Sequence, residues 1–263
     1  MGLKGAAIAT GVSQSLGLFV MLTHLVHKRG VLRLGKTKLE RRLVRDIIIH
    51  GLPEGISQLA MPVMTLCMNL VLIAKVGDIG VDAFAVIIYV ASLSMAVFYG
   101  ASEGLQPLFG QSYGAKNEKN LKFYYKIGLL ICGVGSVAVT IAVIFLSRPI
   151  CILFGASGDT LVYILKVLPQ FAVGFIAMAF NVLICAYLYS TERSIQSTVI
   201  SVLRSVIVNA AVILLLPEIF GMGVIWFSLL IYEVIVLAVA VALTKRSERN
   251  GIVFKESSSL ACR

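Results

Sequence analysis

Residues 82–107 read DAFAVIIYVASLSMAVFYGASEGLQP, and the fold class turns on this stretch. It is apolar for too long to be a strand, and it lacks the ten-residue alternation of an outer-membrane barrel. A helix needs about 20 predominantly apolar residues to cross a bilayer. Lipid offers no partner to open backbone groups, so the stretch is predicted to be a membrane-spanning helix. Similar apolar runs cover roughly 5–26, 48–74, 123–146, 161–188, 196–216 and 222–243. Turn signals fall between them: Gly77-Asp78-Ile79-Gly80, Gly114, Gly155-Ala156-Ser157-Gly158-Asp159, and Pro217 with Gly221 and Gly223. The expected fold is an all-α polytopic membrane bundle of about seven transmembrane helices.

Composition agrees. Of 263 residues, 59% are hydrophobic and 14% are charged, with a mean hydropathy of +0.95. A soluble domain has about 45–50% apolar and about 25% charged residues. A water-soluble globule, a disordered tail and a secreted disulfide scaffold are therefore excluded. The net charge of +10 does not point to nucleic acid, because the basic residues fall between apolar runs. Cys67, Cys132, Cys151, Cys185 and Cys262 form no CxxC pair and read as small packing residues rather than metal ligands.

Orientation follows from Lys and Arg. With the loop after the first run inside, nineteen of the 23 basic residues lie on the inner side, including Arg193 and Arg204. Lys4, Lys75, Arg148 and Lys166 are left outside. This asymmetry predicts a cytoplasmic C-terminus and an N-terminus outside. Such a start is what a chain cut from a longer polytopic protein would have. Residues 27–47 set apolar residues at helical spacing beside basic ones, as in an amphipathic helix on the inner leaflet or an ordinary basic connector.

Ionisable residues within spans are costly and rare. Glu54 follows Pro53, and two readings stand. Proline with an acid suits the first turn of a helix, or Glu54 lines a cytoplasm-facing cavity with Gln58 one turn on. Tyr99, Glu103, Gln106 and Gly110 share a helical face, and Pro107 frees a carbonyl. A carboxylate, an amide and a freed carbonyl could hold a cation or a proton; the alternative is a packing motif at a helix end. Asn69 and Asn181 are single amides near the middle of their spans and are candidates for the same cavity. His24 and His27 have no second ligand at metal spacing, so no metal site is expected. Arg204 and Glu233 lie near the centres of consecutive antiparallel spans. At equal depth they are expected to form a structural ion pair. No P-loop, catalytic triad or HExxH occurs, so an enzyme is not expected.

The segment Glu103-Gly104-Leu105-Gln106-Pro107-Leu108-Phe109-Gly110-Gln111-Ser112-Tyr113-Gly114-Ala115-Lys116-Asn117 resembles the G-x-Q-P-L-x-G-x-x-Y-G-A-K-N signature of the bacterial multidrug and toxic compound extrusion (MATE) family. Gly51-Leu52-Pro53 resembles the opening of that family's seventh helix, and Gly5-Ala6-Ala7-Ile8-Ala9-Thr10 the start of its sixth. Ser201-Val202-Leu203-Arg204, Leu214-Leu215-Leu216-Pro217 and Gly223-Val224-Ile225-Trp226 resemble its last two helices. The resemblance implies half of a twelve-helix, two-lobed transporter. Residues 1–29 would be the last helix of a missing N-terminal lobe and 30–47 a cytoplasmic amphipathic connector. Residues 48–244 would be the six-helix C-terminal lobe, and 245–263 a basic cytoplasmic tail.

The function so implied is secondary active efflux of cationic or amphipathic drugs in exchange for Na+ or H+, with no cofactor beyond the coupling ion. The expected setting is the plasma membrane, as a multi-pass protein. The expected partners are the lipid bilayer, such substrates, and the missing lobe or a second chain. Glu54, Gln58, Asn69, Glu103, Gln106 and Asn181 are the candidates for the substrate or coupling-ion cavity. The essential acid that many members carry on the first helix has no counterpart here, and Met61, Met64 and Met178 stand at depths where some relatives have acids. Two other readings are a flippase of lipid-linked precursors from the same superfamily and a non-transporting membrane fragment. A flippase would be expected to carry several basic residues in its spans, where only Arg204, Lys126 and Lys166 occur.

Overall fold

The computed structural model of the chain describes residues 2–26 and 40–249, and every regular element among them is helical. The chain divides into two compact units, Met1–Arg45 and Asp46–Arg263. In the first unit, α1 is Gly2–Val26. Its hydroxyls bond back to their own helix, Ser15 to the Gly11 carbonyl at 2.8 Å and Thr23 to that of Val20 at 2.6 Å. The apolar part of α1 is Ala7–Val20. Residues 27–39, most of the expected connector, lie outside the described residues.

The helices that follow are α2 (Arg41–Ser57), α3 (Ala60–Lys75), α4 (Asp78–Gly114), α5 (Glu118–Phe145) and the short α6 (Ser147–Leu153). They continue with α7 (Gly158–Ala172), α8 (Gly174–Ser190), α9 (Ser194–Val202), α10 (Val208–Phe220) and α11 (Ser228–Arg249). A π-helical turn, Leu203–Ile207, joins α9 to α10, and a 3-10 turn, Met222–Phe227, leads into α11. Arg41 onward is already helix, so the helix runs without a break from the connector into the apolar run expected from 48.

Among the described residues, five helical stretches are long and apolar enough to cross a membrane, and α7 with α8, bent by 42°, makes a sixth if the pair is one span. The six therefore follow the sequence runs from 48 to 243, but half of them are broken. Residues 58 and 59 interrupt α2 and α3. Pro62 has no N–H for the Gln58 carbonyl four residues back, so the ladder is weakened at that break. Pro169 does the same in α7 just ahead of the bend at Val173. Pro53 lies deep within α2, which overturns the reading of Pro53-Glu54 as the first turn of a helix.

The core is built around α8, where every residue from Phe175 to Leu188 except Ile176 and Phe180 is buried. It packs against α4, α5 and α11. Gly174 makes the closest approach: a Cβ there would stand 2.6 Å from Leu229 Cγ and 2.8 Å from the Leu230 nitrogen. Small residues let helices approach closely in lipid, where packing replaces the hydrophobic drive.

The element order gives the bundle two ends. The starts of α5 and α9 and the ends of α4, α8 and α11 lie at one of them, here called the basic end. Its loops are tight. Lys116 has φ 53° and Glu192 φ 59°, and the Asn117 side chain caps α5 by accepting from the Asn120 N–H at 3.0 Å.

Candidate functional site

The polar residues of the bundle fall into two layers. The deep layer begins with a stripe on the α9–α10 helix. Ser197, Ser201, Ser205, Asn209 and Ile213 recur every four residues, and each is 0% exposed. An α-helix turns every 3.6 residues, so a stripe at fours drifts round the helix. The π turn corrects that drift: the Val208 N–H bonds to the Leu203 carbonyl, five residues back. The wider turn directs Arg204 and Ser205 inward together.

Arg204 meets Glu233 of α11 there. Its Nε donates to both carboxylate oxygens at 3.0 and 3.1 Å, and Nη2 lies 3.0 Å from Oε1. The two are 2% and 0% exposed. Asn181 of α8 completes the cluster, its Nδ2 donating to Glu233 Oε2 at 2.6 Å and to the Glu233 carbonyl at 2.8 Å. Asn181 therefore lies in the deep layer, with both hydrogen bonds of its Nδ2 going to Glu233. Tyr99 of α4 lies within electrostatic reach of Arg204. Around this layer the Ser57 and Ser201 hydroxyls bond at 2.8 Å, Asn209 Nδ2 donates to the Ala60 carbonyl at 3.0 Å, and the Tyr232 hydroxyl reaches Met64 Sδ at 3.8 Å. Three helices, α8, α9–α10 and α11, are thereby joined through one buried carboxylate.

The second layer lies nearer the basic end. Glu54 is half-buried, and Gln58 Nε2 donates to its Oε1 at 2.9 Å across one turn of α2. Gln106 Nε2 of α4 donates to the Tyr189 hydroxyl of α8 at 2.5 Å. Tyr189 is within electrostatic reach of Glu54, Tyr99 and Glu103. Glu103 itself is exposed. At 1.5 Å per residue α4 is about 55 Å long, well beyond a hydrocarbon core of about 30 Å. Its apolar part ends near Ser102, and Glu103 and the rest of the quoted signature follow that part. Pro107 leaves the Glu103 carbonyl without its helical donor. Gln106 and Tyr189 thus join α4 to α8, while Glu54 and Gln58 form their own pair on α2. Asn69 does not join them: it is half-buried on α3, about 16 Å further along than Gln58 at the helical rise.

Tyr99 shares its helical face with Glu103 and Gln106, as the sequence spacing predicts, but the spacing carries no sign of its nearness to Arg204. The π turn carries no sequence signal. Arg193 was counted as a loop cation, yet it is 4% exposed and lies over the Tyr187 ring at 5.6 Å. No group of three or more His, Cys, Asp or Glu among the described residues is arranged to hold a metal ion.

Comparison with known proteins gives the arrangement a context. No curated protein matches the sequence. Among solved structures, the chain is similar to an outward-facing multidrug resistance MATE family transporter of the MOP superfamily, at a TM-score of 0.83 and 20% identity, covering 95% of this chain and 57% of that one. It is similar to a MOP superfamily transporter from Pyrococcus furiosus whose binding pocket is described as reversed in polarity, at a TM-score of 0.81 and 20% identity, covering 94% and 56%. A MATE structure in complex with MaL6 matches at 0.83 and 20% identity, over 95% and 57%. The chain therefore spans somewhat over half the length of these relatives and has their helical membrane fold. The MatE family model matches residues 53–215, from the proline beside Glu54 to the last apolar turn of α10. That stretch is the larger part of the chain and holds every residue of both polar layers except Glu233 and Tyr232 of α11, so the chain belongs to the MatE family.

Proposed function

We propose that this chain is the C-terminal lobe, with the helix that precedes it, of a secondary active efflux transporter. It exports cationic or amphipathic compounds in exchange for Na+ or H+ across the plasma membrane, with its basic end in the cytoplasm. The observation that carries the reading is the membrane-boundary layer of Glu54, Gln58, Glu103, Gln106 and Tyr189 in an otherwise apolar bundle. Glu54 and Gln58 are paired on α2, Gln106 of α4 is bonded to Tyr189, and Glu54 and Glu103 both lie within electrostatic reach of Tyr189, so this layer offers negative charge to a cation. Phenol rings add cation–π attraction for an organic cation. The other lobe, which relatives of this fold have, would form the second wall of the cavity.

The flippase reading is weaker. A pyrophosphate needs free cations, and Arg204, the deepest basic residue, is already engaged by Glu233.

The proposal is tested by producing this lobe together with a six-helix amino-terminal lobe of a relative and following loss of a cationic dye from everted vesicles under an imposed Na+ or H+ gradient. Dye movement that collapses with one of the two gradients supports the reading and names the ion. Dye movement indifferent to both contradicts it.

A further inference from the structure

Away from both polar layers, α5, α8 and α11 leave a groove between them with a volume of about 430 Å³. Leu129 of α5, Phe180 and Ile184 of α8, and Leu237 and Val241 of α11 make its apolar walls. Tyr125, Thr244 and Lys245 line it at the basic end. Leu237, Val241 and Lys245 follow one another at four-residue intervals, so the groove runs about 12 Å along α11 from its apolar part to the lysine.

What the groove opens onto is set by α5. Its exposed residues between 127 and 145 are apolar without exception, Leu130, Ile131, Val134, Val137, Ile141 and Phe145 being the largest. A helix face without one polar group over this length is suited to acyl chains and not to a water-filled cavity. The end of the groove has the opposite character. Lys245 stands in its wall. Lys122 is three residues before Tyr125, so it continues the Tyr125–Leu129 stripe towards the end of α5, and it is exposed. Its ion pair with Glu118 within one turn is of the surface kind that holds a lysine only weakly.

A third cation lies behind the wall. Tyr125 and Tyr187 rings are 4.5 Å apart between centroids, and Tyr187 carries the guanidinium of Arg193 on its ring. Arg193 is 4% exposed, and Nε, Nη1 and Nη2 are all buried with no hydrogen-bond partner among the described residues. Its charge is offset by no carboxylate there and adds to the positive potential at the groove's end.

An apolar slot that opens to lipid and ends at cations matches one molecule in a bilayer. We infer that the groove between α5, α8 and α11 binds an anionic phospholipid of the leaflet at the basic end, with an acyl chain along Leu237 and Phe180 and the phosphate at Lys245. This site is separate from the Glu54–Glu103 layer and stands whether or not the chain transports drugs. The lipid would act as a side strut holding α11 against α5, which share the groove but are otherwise bridged by α8.

The test is native mass spectrometry of the full chain in detergent, titrated with phosphatidylglycerol or phosphatidylcholine of the same acyl composition. One phosphatidylglycerol is expected to be retained at least about fivefold more tightly than phosphatidylcholine, the factor a single lysine near a lipid surface supplies. Lys245→Glu should abolish that preference. Val241→Trp, which fills the slot, should abolish retention of both lipids, and Ile141→Trp on the outer face of α5 should change neither. Equal retention of the two lipids would overturn the proposal. So would a preference that survives Lys245→Glu, whether or not Val241→Trp folds. A full chain that takes up neither lipid, while the chain ended at Arg249 takes up phosphatidylglycerol, would assign the groove to the chain's own residues 250–263 and overturn it as well.

Discussion

Replacing one member of the Arg204–Glu233 pair isolates the other at 2% exposure or less, with no second ion-pair partner among the described residues. Breaking a buried pair by removing one partner costs about 3–5 kcal/mol. The two single variants are expected to differ. Arg204→Met leaves a carboxylate that still accepts from Asn181 Nδ2 at 2.6 Å, so its loss should sit at the lower end. Glu233→Met leaves a guanidinium that does not deprotonate in proteins, so its loss should be the larger. Methionine at both positions preserves volume and removes both charges, and such exchanges are often neutral or stabilising. The double variant should therefore recover most of what the worse single loses. The assay is reversible unfolding in mixed micelles by titration with SDS. The chain's single tryptophan serves as the probe: Trp226 is 3% exposed, edge-on to Tyr163 at 6.0 Å. Single variants that lose less than about 1 kcal/mol, or a double variant no better than the worse single, would refute a locking role for the pair.

Other outcomes follow from the same packing. Asn181→Ala should lower stability in that titration by about 1 kcal/mol, the usual worth of a polar contact between membrane helices. Gly174→Val should cost at least about 1–3 kcal/mol and reduce the yield of folded protein, because Leu229 Cγ and the Leu230 backbone already occupy the space of its Cβ. Cys67, Cys132, Cys151 and Cys185 are all buried, and burial also pushes the Cys151 thiol up from its ordinary value. A polar maleimide should modify these four only after SDS is added, as peptide mapping of the labelled chain would report.

The six spans from residue 41 onward were legible because apolar length is a property of composition, and a bilayer demands about the same length wherever it is crossed. The breaks inside the spans were not equally legible. Pro62 and Pro169 lie beside two of them without having been read as breaks, and nothing in Leu203-Arg204-Ser205-Val206-Ile207 distinguishes a π turn from α-helix. Arg204 and Glu233 could be matched by depth because antiparallel neighbours share a midplane. Asn181 could not be added to them, since a residue's depth leaves its direction round the helix open. Arg193 shows the limit of charge counting: the positive-inside rule fixes the side of the membrane on which a cation lies, and a ring such as Tyr187 can still bury it. The Glu54–Gln58 turn was visible as a spacing of four. Its relation to Tyr189 depends on how α8 meets α2 and α4, which no local pattern encodes.

The central claim is that the acids at the membrane boundary serve transport while the deep pair serves structure, and one comparison separates them. Dye efflux from vesicles should be measured for Glu54→Gln with Glu103→Gln, and for Arg204→Met with Glu233→Met, each in the lobe paired as above and corrected for folded protein. The account predicts that the boundary variant is produced normally and has lost gradient-driven efflux, while the deep double variant retains it per folded molecule. Full efflux without the two boundary acids would contradict it.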